Sequence, residues 1–264
     1  MQDSYETLLL KRPQDHVLQI TINRPERRNA MNTQLGRDML DIFSTFLLDP
    51  GDTRTVIITG AGDKAFCAGG DLKERDGMTD EEWRLQHVIF EQAIYHVIDC
   101  PVPVIAAVNG SAFGGGCEMA LAADFIYASE SARFALTEVT LGIMPGCGGT
   151  QNLPRAAGSR RAKEILFTGA PFTAAEGLEW GIINRITAAE ELMPAALATA
   201  DRMASNGPLA LRQAKRSVNL GMGMDLTTAL GIEVEAYNRL VPTEDRREGV
   251  LAFNEKRKAN FVGR

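Results

Sequence analysis

Val104-Ile-Ala-Ala-Val-Asn-Gly-Ser-Ala-Phe-Gly-Gly-Gly-Cys-Glu118 is the stretch on which the reading of the fold turns. Its first five residues are apolar without interruption, as expected of a strand buried on both faces, the usual state of a strand in a parallel sheet. Three glycines follow, and a short helix is predicted to open on them over 115–122. Working outward, the same rhythm recurs. Alternation over 16–23 predicts a strand, and the apolar run in 54–59 predicts a more deeply buried one. Between them Thr33 is expected to cap a helix whose Leu35, Met39, Ile42, Phe43 and Phe46 recur at helical spacing, ending at Asp49-Pro50-Gly51. Residues 81–98 read as a helix, and 124–128 and 134–136 as short strands. Strand and helix in alternation imply an α/β fold with parallel strands.

After about residue 150 strands become scarce. Helices are predicted over 174–180, 188–205, 208–220, 225–239 and 243–260, separated by Gly or Pro. Asn206-Gly207-Pro208 is the expected boundary, dividing a catalytic part, residues 1–206, from a helical appendage, residues 207–264.

Composition narrows the chemistry. The chain has 264 residues, 45% of them hydrophobic and 23% charged, values of a folded globular protein rather than a disordered or fibrous one. With only His16, His87 and His96 available, histidine-based metal sites and triads have few options, and the burden falls on carboxylates and backbone. Cys67, Cys100, Cys117 and Cys147 form no CxxC pair and read as buried thiols. The opening MQDSYETLLLKRPQD has no basic segment followed by an apolar one, and the apolar stretch 101–129 is interrupted by Asn109, Glu118 and Asp124. The expectation is a soluble, cytoplasmic protein with no membrane contact.

Glycine is clustered at Gly60-Ala-Gly-Asp-Lys-Ala-Phe-Cys-Ala-Gly-Gly-Asp71, Gly114-Gly-Gly-Cys-Glu118 and Gly146-Cys-Gly-Gly-Thr150. The first fails as a dinucleotide fingerprint because Ala65 stands where the third glycine belongs, and none contains GxxxxGK[ST]. Any one cluster alone could be a tight turn. Two glycine loops facing each other, however, direct unpaired N–H groups at one point and build an oxyanion hole. Without a neighbouring nucleophile, such a hole suits an enolate better than a tetrahedral acyl intermediate. Glu118 lies on the same short helix as Gly115. Glu138 lies in the largely apolar Leu136-Thr-Glu-Val-Thr-Leu-Gly-Ile-Met-Pro-Gly146. A glutamate in such a place is more often a salt-bridged structural residue than a catalytic one.

Four ordered segments shift that balance. Asn23-Arg-Pro-Glu-Arg-Arg-Asn-Ala-Met31, Phe66-Cys-Ala-Gly-Gly-Asp-Leu-Lys73, 109–118 and 137–151 resemble the signature segments of the crotonase (enoyl-CoA hydratase/isomerase) family, and Phe253-Asn-Glu-Lys-Arg-Lys258 extends the resemblance to the tail. The resemblance implies a crotonase-like spiral of ββα turns with an all-helical C-terminal trimerisation region, giving a homo-trimer or hexamer. It implies oxyanion N–H groups at Gly70 and Gly115. It also implies two catalytic glutamates, Glu118 activating water and Glu138 exchanging the C2 proton, in the hydratase pattern; isomerases generally keep one of the two.

Coenzyme A would enter as part of an acyl-CoA thioester substrate, with no separate cofactor and no metal. Its contacts are expected among Arg24, Arg27, Arg28, Ala30, Lys64, Ala68, Gly70, Asp71, Leu72, Lys73, Gly114, Gly115, Gly146, Phe253 and Lys256, the last from the tail of a neighbouring subunit. Net charge is −6, yet screening confines each charge to about 8 Å, so a locally basic CoA site is compatible with an acidic protein. Residues 71–75 and 241–253 are similar to the methylglutaconyl-CoA hydratase branch, one lineage of which binds RNA through a lysine-rich helix. Here the equivalent helix, 34–48, carries Arg37 against Asp38 and Asp41, so no nucleic-acid binding is expected. Methylglutaconyl-CoA hydratase or enoyl-CoA isomerase activity within the family, and non-catalytic acyl-CoA binding from another class, are the alternatives.

Overall fold

The computed structural model describes residues 4–264. The chain starts as a hairpin, β1 (Leu8–Gln14) against β2 (Val17–Ile22), and then falls into successive ββα turns. After α1 (Thr33–Leu48), the first turn is β3 (Thr55–Gly60), β4 (Ala65–Cys67), α2 (Leu72–Arg75) and α3 (Asp80–Asp99). The second is β5 (Val104–Val108), β6 (Ser111–Phe113) and α4 (Gly115–Ala122); the third is β7 (Phe125–Ser129), β8 (Arg133–Ala135) and α5 (Gly149–Thr168). Each turn therefore gives its first strand to one sheet and its second to another. The larger sheet has the order β1-β2-β3-β5-β7-β10 and the smaller β4-β6-β8-β9, where β9 is Phe172–Thr173 and β10 is Arg185–Thr187. Val56 pairs with Val104 and Ile105 with Phe125, both in parallel ladders.

The uninterrupted apolar run of β5 is explained by cover on both faces. Val56, Ile58, Val104, Ala106 and Val108 belong to the main core with α1 and α3. Ile57, Ile105 and Ala107 face the other way, onto Leu192, Ala196, Ala200 and Ala204 of α7 (Leu192–Ala204). Those four recur every fourth residue, so α7 presents a single stripe of mostly small side chains to the sheet. Before it lies α6 (Ala174–Glu179); beyond it run α8 (Pro208–Gly221), α9 (Leu226–Leu240) and α10 (Glu244–Glu255). Among the described residues no helix is long and apolar enough to cross a membrane. All four cysteines are buried and unpaired.

Three local expectations are corrected. The cap of α1 is Asn32, whose Oδ1 accepts the Leu35 N–H at 2.9 Å, while the Thr33 N–H donates to Glu74. The segment predicted as one helix over 188–205 is a 3-10 turn, Ala189–Glu191, followed by α7. The last helix stops at Glu255, because Lys256 takes a left-handed conformation at φ 56° and caps it. A long helix at 149–168 had no counterpart in the sequence reading; it breaks at Gly158.

Candidate active site

The site forms where the ββα turns deliver the ends of β4 and β6 side by side. After Cys67 the chain turns back along residues 28–31: the Ala68 N–H donates to the Arg28 carbonyl at 3.1 Å, the Met31 N–H to Gly69 at 2.7 Å, and the Asp71 N–H to Met31 at 2.9 Å. The bridge between Met31 and Gly70 thus uses the Gly69 carbonyl and the Asp71 N–H, not the Gly70 N–H. Arg24 secures the same crossing, with its guanidinium 3.1 Å from the Asp71 carboxylate and bonded to the Ala30 carbonyl.

Opposite, the Gly114 N–H is taken by the Ala135 carbonyl at 2.8 Å, and Gly115 is the first residue of α4, where an N–H has no partner within the helix. Gly116 explains the glycine run physically: a Cβ there would lie 2.1 Å from the Cys67 carbonyl oxygen, so α4 can press onto β4 only without one. Gly70 and Gly115 both line one cavity of about 750 Å³.

Glu118 sits in the first turn of α4 and is buried. Its Oε1 accepts two backbone N–H groups, Cys147 at 2.7 Å and Gly149 at 2.9 Å. Burial pushes its pKa above the ordinary glutamate value, opposed by those two donors. Glu138 opens a 3-10 turn, Glu138–Leu141, and its buried Oε2 has no hydrogen-bond partner among the described residues. Burial raises its pKa to about 7, its own backbone hydrogen bond opposing and the Glu118 charge adding to the rise. One carboxylate is therefore clamped by peptide donors while the other has an oxygen with nothing to bind. Two carboxyls with raised pKa facing one space can exchange protons near neutrality.

Of the residues singled out by sequence, Ala68, Gly70, Leu72, Gly114, Gly115, Glu118, Glu138 and Gly146 line this cavity together. Arg24, Arg28, Ala30, Lys64, Asp71, Lys73, Phe253 and Lys256 do not. Lys64, Lys73 and Lys256 are exposed, as is Phe253 at 84%. Arg28 contributes its carbonyl to the 28–31 crossing, and the Arg24 guanidinium is bonded to Asp71 and Ala30.

Sequence reasoning missed Arg75, Trp83, His87 and Cys147, which also line the cavity. Cys147 matters through its N–H, for which a sequence carries no signal. His87 packs so closely on the 146–149 loop that a Cβ at Gly146 would lie 2.4 Å from its ring. Arg75 could have been noticed as a cation beside the glycine loop.

The signature of the enoyl-CoA hydratase/isomerase family matches residues 12–264. Crotonyl-CoA hydratase of Syntrophomonas wolfei is 40% identical over 262 residues, covering 99% of this chain and 100% of that protein. Short-chain-enoyl-CoA hydratase of Clostridium acetobutylicum is 41% identical over 239 residues, 90% of this chain and 91% of that one. The crystal structure of an enoyl-CoA hydratase from Bacillus anthracis superimposes with a TM-score of 0.96 at 42% identity, over 98% of this chain and 100% of that one. The spiral of ββα turns, the paired glycine loops and the match along almost the whole length agree, and the chain belongs to the enoyl-CoA hydratase/isomerase family.

Proposed function

We propose that the protein is a hydratase, adding water across the C2=C3 bond of a 2-enoyl-CoA thioester to give the 3-hydroxyacyl-CoA. The observation that carries this reading is the presence of two carboxyls, Glu118 and Glu138, in one cavity with Gly70 and Gly115. The thioester oxygen would lie between the N–H groups of Gly70 and Gly115, which stabilise the enolate as charge develops on it. Glu118, fixed through Oε1, accepts a proton from the water as its oxygen bonds to C3. Glu138, raised to about 7 and so able to hold a proton near neutrality, delivers it to C2. The pair has then exchanged protonation states, and one proton passes back between them before the next turnover.

Basic residues flanking the crossing, among them Arg28, Lys64 and Lys73, supply charge for the CoA phosphates. Leu226, Leu230, Val234 and Tyr237 form an exposed apolar stripe along α9, which supports an assembly of several copies.

The test is loss of enoyl-thioester absorbance on mixing with crotonyl-CoA. Glu118→Gln and Glu138→Gln are each expected to lower turnover roughly 100-fold to 10,000-fold while CoA-thioester binding persists. Near-wild-type turnover in either variant removes that residue from the mechanism. A wild-type protein that moves the double bond of a 3-enoyl-CoA but hydrates nothing is an isomerase.

A further inference from the structure

His87 of α3 lines the cavity beside the two glutamates, and the hydration steps leave it without a task. Its ring lies on the bare backbone of Gly146. A Cβ built there would stand within 2.7 Å of both Cε1 and Nε2 and 3.6 Å from Nδ1, so its three nearest neighbours are all atoms of this one imidazole. Gly146 keeps φ outside the left-handed region, unlike Gly148 at φ 99°. Backbone conformation therefore does not call for glycine at 146, whereas the imidazole does.

The peptide that starts at the Gly146 Cα is the one that carries the Cys147 N–H, which donates to the Glu118 Oε1 at 2.7 Å. A peptide unit is planar, so a ring pressed on that Cα fixes the direction of the N–H. The other end of the loop is confined as well: a Cβ at Gly149, the second donor, would lie 3.0 Å from the Glu118 Oε1 and 3.0 Å from the Pro145 Cβ. The loop is thus gripped between the Glu118 carboxylate and the His87 ring. The ring has a firm base, since α3 opens on a Thr79–Glu82 capping box and sinks Phe90, Ala93, Ile94 and Val97 into the main core.

Building on the hydratase reading, we propose that His87 is a positioning residue, whose ring sets the Gly146–Cys147 peptide so that the Cys147 N–H reaches the carboxylate that activates water. The imidazole acts by its shape. Neither ring nitrogen has a hydrogen-bond partner among the described residues, so a proton relay is the competing role that the variants must separate.

Burial raises the Glu118 pKa and its two N–H donors oppose the rise, so loosening one donor raises it further. Glu118 must be ionised to take the proton from water, and the acid limb of the kcat profile then moves to higher pH. Other titratable groups face Glu118 and Cys147 from each element around them: Glu138 on the 3-10 turn, Cys117 within α4, and Glu91 and Tyr95 on α3, with Arg75 of α2 in the same cavity. All of these are unchanged when only residue 87 is replaced.

The test is the pH dependence of crotonyl-CoA hydration in His87→Ala and His87→Phe. His87→Ala should move the acid limb up by about one unit, which lowers kcat roughly tenfold along that limb, while the alkaline limb set by Glu138 stays in place. His87→Phe keeps a flat ring that cannot titrate, and should restore the limb and most of kcat. An unmoved acid limb in His87→Ala overturns the proposal. So does a Phe variant as impaired as the Ala variant, which would make the imidazole itself a proton carrier.

Gly146→Ala reaches the same contact from its other side, expelling the ring while keeping the imidazole. It should move the limb in the same direction and add little in the His87→Ala background, and additive effects in the double variant overturn the proposal. Carbon NMR of isotope-labelled carboxyls, with the Glu118 signal assigned by its loss in Glu118→Gln, follows the titration without turnover. If the wild type hydrates nothing while this titration rises in His87→Ala and returns in His87→Phe, the hydratase reading fails and the positioning role stands. A titration that His87→Ala leaves in place overturns it.

Discussion

Replacing Glu138 by Gln removes one proton equilibrium from the cavity while nearly preserving side-chain shape. In the folded chain burial carries this carboxyl from 4.5 to about 7. At about 1.36 kcal/mol per pKa unit, that displacement sets a ceiling of roughly 3 kcal/mol on its effect on folding. The cavity gives the carboxyl some access to solvent, which screens it, and roughly 1–2 kcal/mol is the working expectation. The sign follows from the folded pKa lying above the unfolded one. The contribution to stability is fully present below 4.5 and is lost as pH rises through about 7. Glutamine does not titrate, so Glu138→Gln should gain on the wild type by that amount between pH 5 and pH 8. The new amide N–H₂ sits where Oε2 has no partner and costs about 1–3 kcal/mol at every pH, so the change with pH is the quantity to read. Denaturant unfolding of both proteins at pH 5 and pH 8, at one protein concentration, measures it. A difference between variant and wild type that is the same at both pH values, within about 0.5 kcal/mol, refutes the argument that burial displaces Glu138.

Other substitutions probe the scaffold. Arg24→Met strands the Asp71 carboxylate, whose side chain is 11% exposed, and is expected to cost about 2–3 kcal/mol in stability and to lower kcat as the peptide carrying Gly70 loosens. A raised KM for CoA thioesters at unchanged kcat would instead make Arg24 a phosphate contact. Gly116→Ala must displace α4 from β4, since the Cβ would lie 2.1 Å from the Cys67 oxygen; a loss of more than 3 kcal/mol and of activity is expected, and a wild-type melting temperature contradicts it. Asn32→Ala removes the cap of α1 and should cost about 1 kcal/mol, whereas Thr33→Ala should leave that cap in place, as comparative thermal unfolding would show.

Elements with a strong period were legible in the sequence: β5 and the helix at Gly115–Ala122 fall where the pattern places them, because five consecutive buried positions and a glycine-opened turn leave few alternatives. Strands β4, β6, β9 and β10 span two or three residues each, too short for any alternation to register. The helix at 149–168 hid behind Gly148, Gly149, Pro154 and Gly158, residues that locally argue for a loop and are overridden by packing and by the break at Gly158. In the site, the resemblance to the crotonase family points to Glu118, Glu138, Gly70 and Gly115, which the fold brings to one cavity. The Cys147 and Gly149 N–H groups that hold Glu118 are backbone atoms, invisible in side-chain identity. Arg24 shows a different limit: its side-chain type points to an anion, while its bonds to Asp71 and Ala30 depend on a crossing of the chain that residue identity does not display.

The cavity has two walls of different heritability. Under the proposed hydration, the groups facing the thioester on one side would be peptide N–H groups at Gly70 and Gly115, and Glu118 is held by a further pair of peptide N–H groups. No single codon change deletes an amide of that kind; it moves only if the path of the chain moves. The opposite wall consists of the side chains of Arg75, Trp83, His87 and Val88 on α2 and α3, each replaceable alone. On that reading the oxyanion donors are written in the course of the backbone, and acyl preference in its decoration. Selection for a new substrate can act on α2 and α3 while the backbone path that carries Gly70 and Gly115 is inherited unchanged.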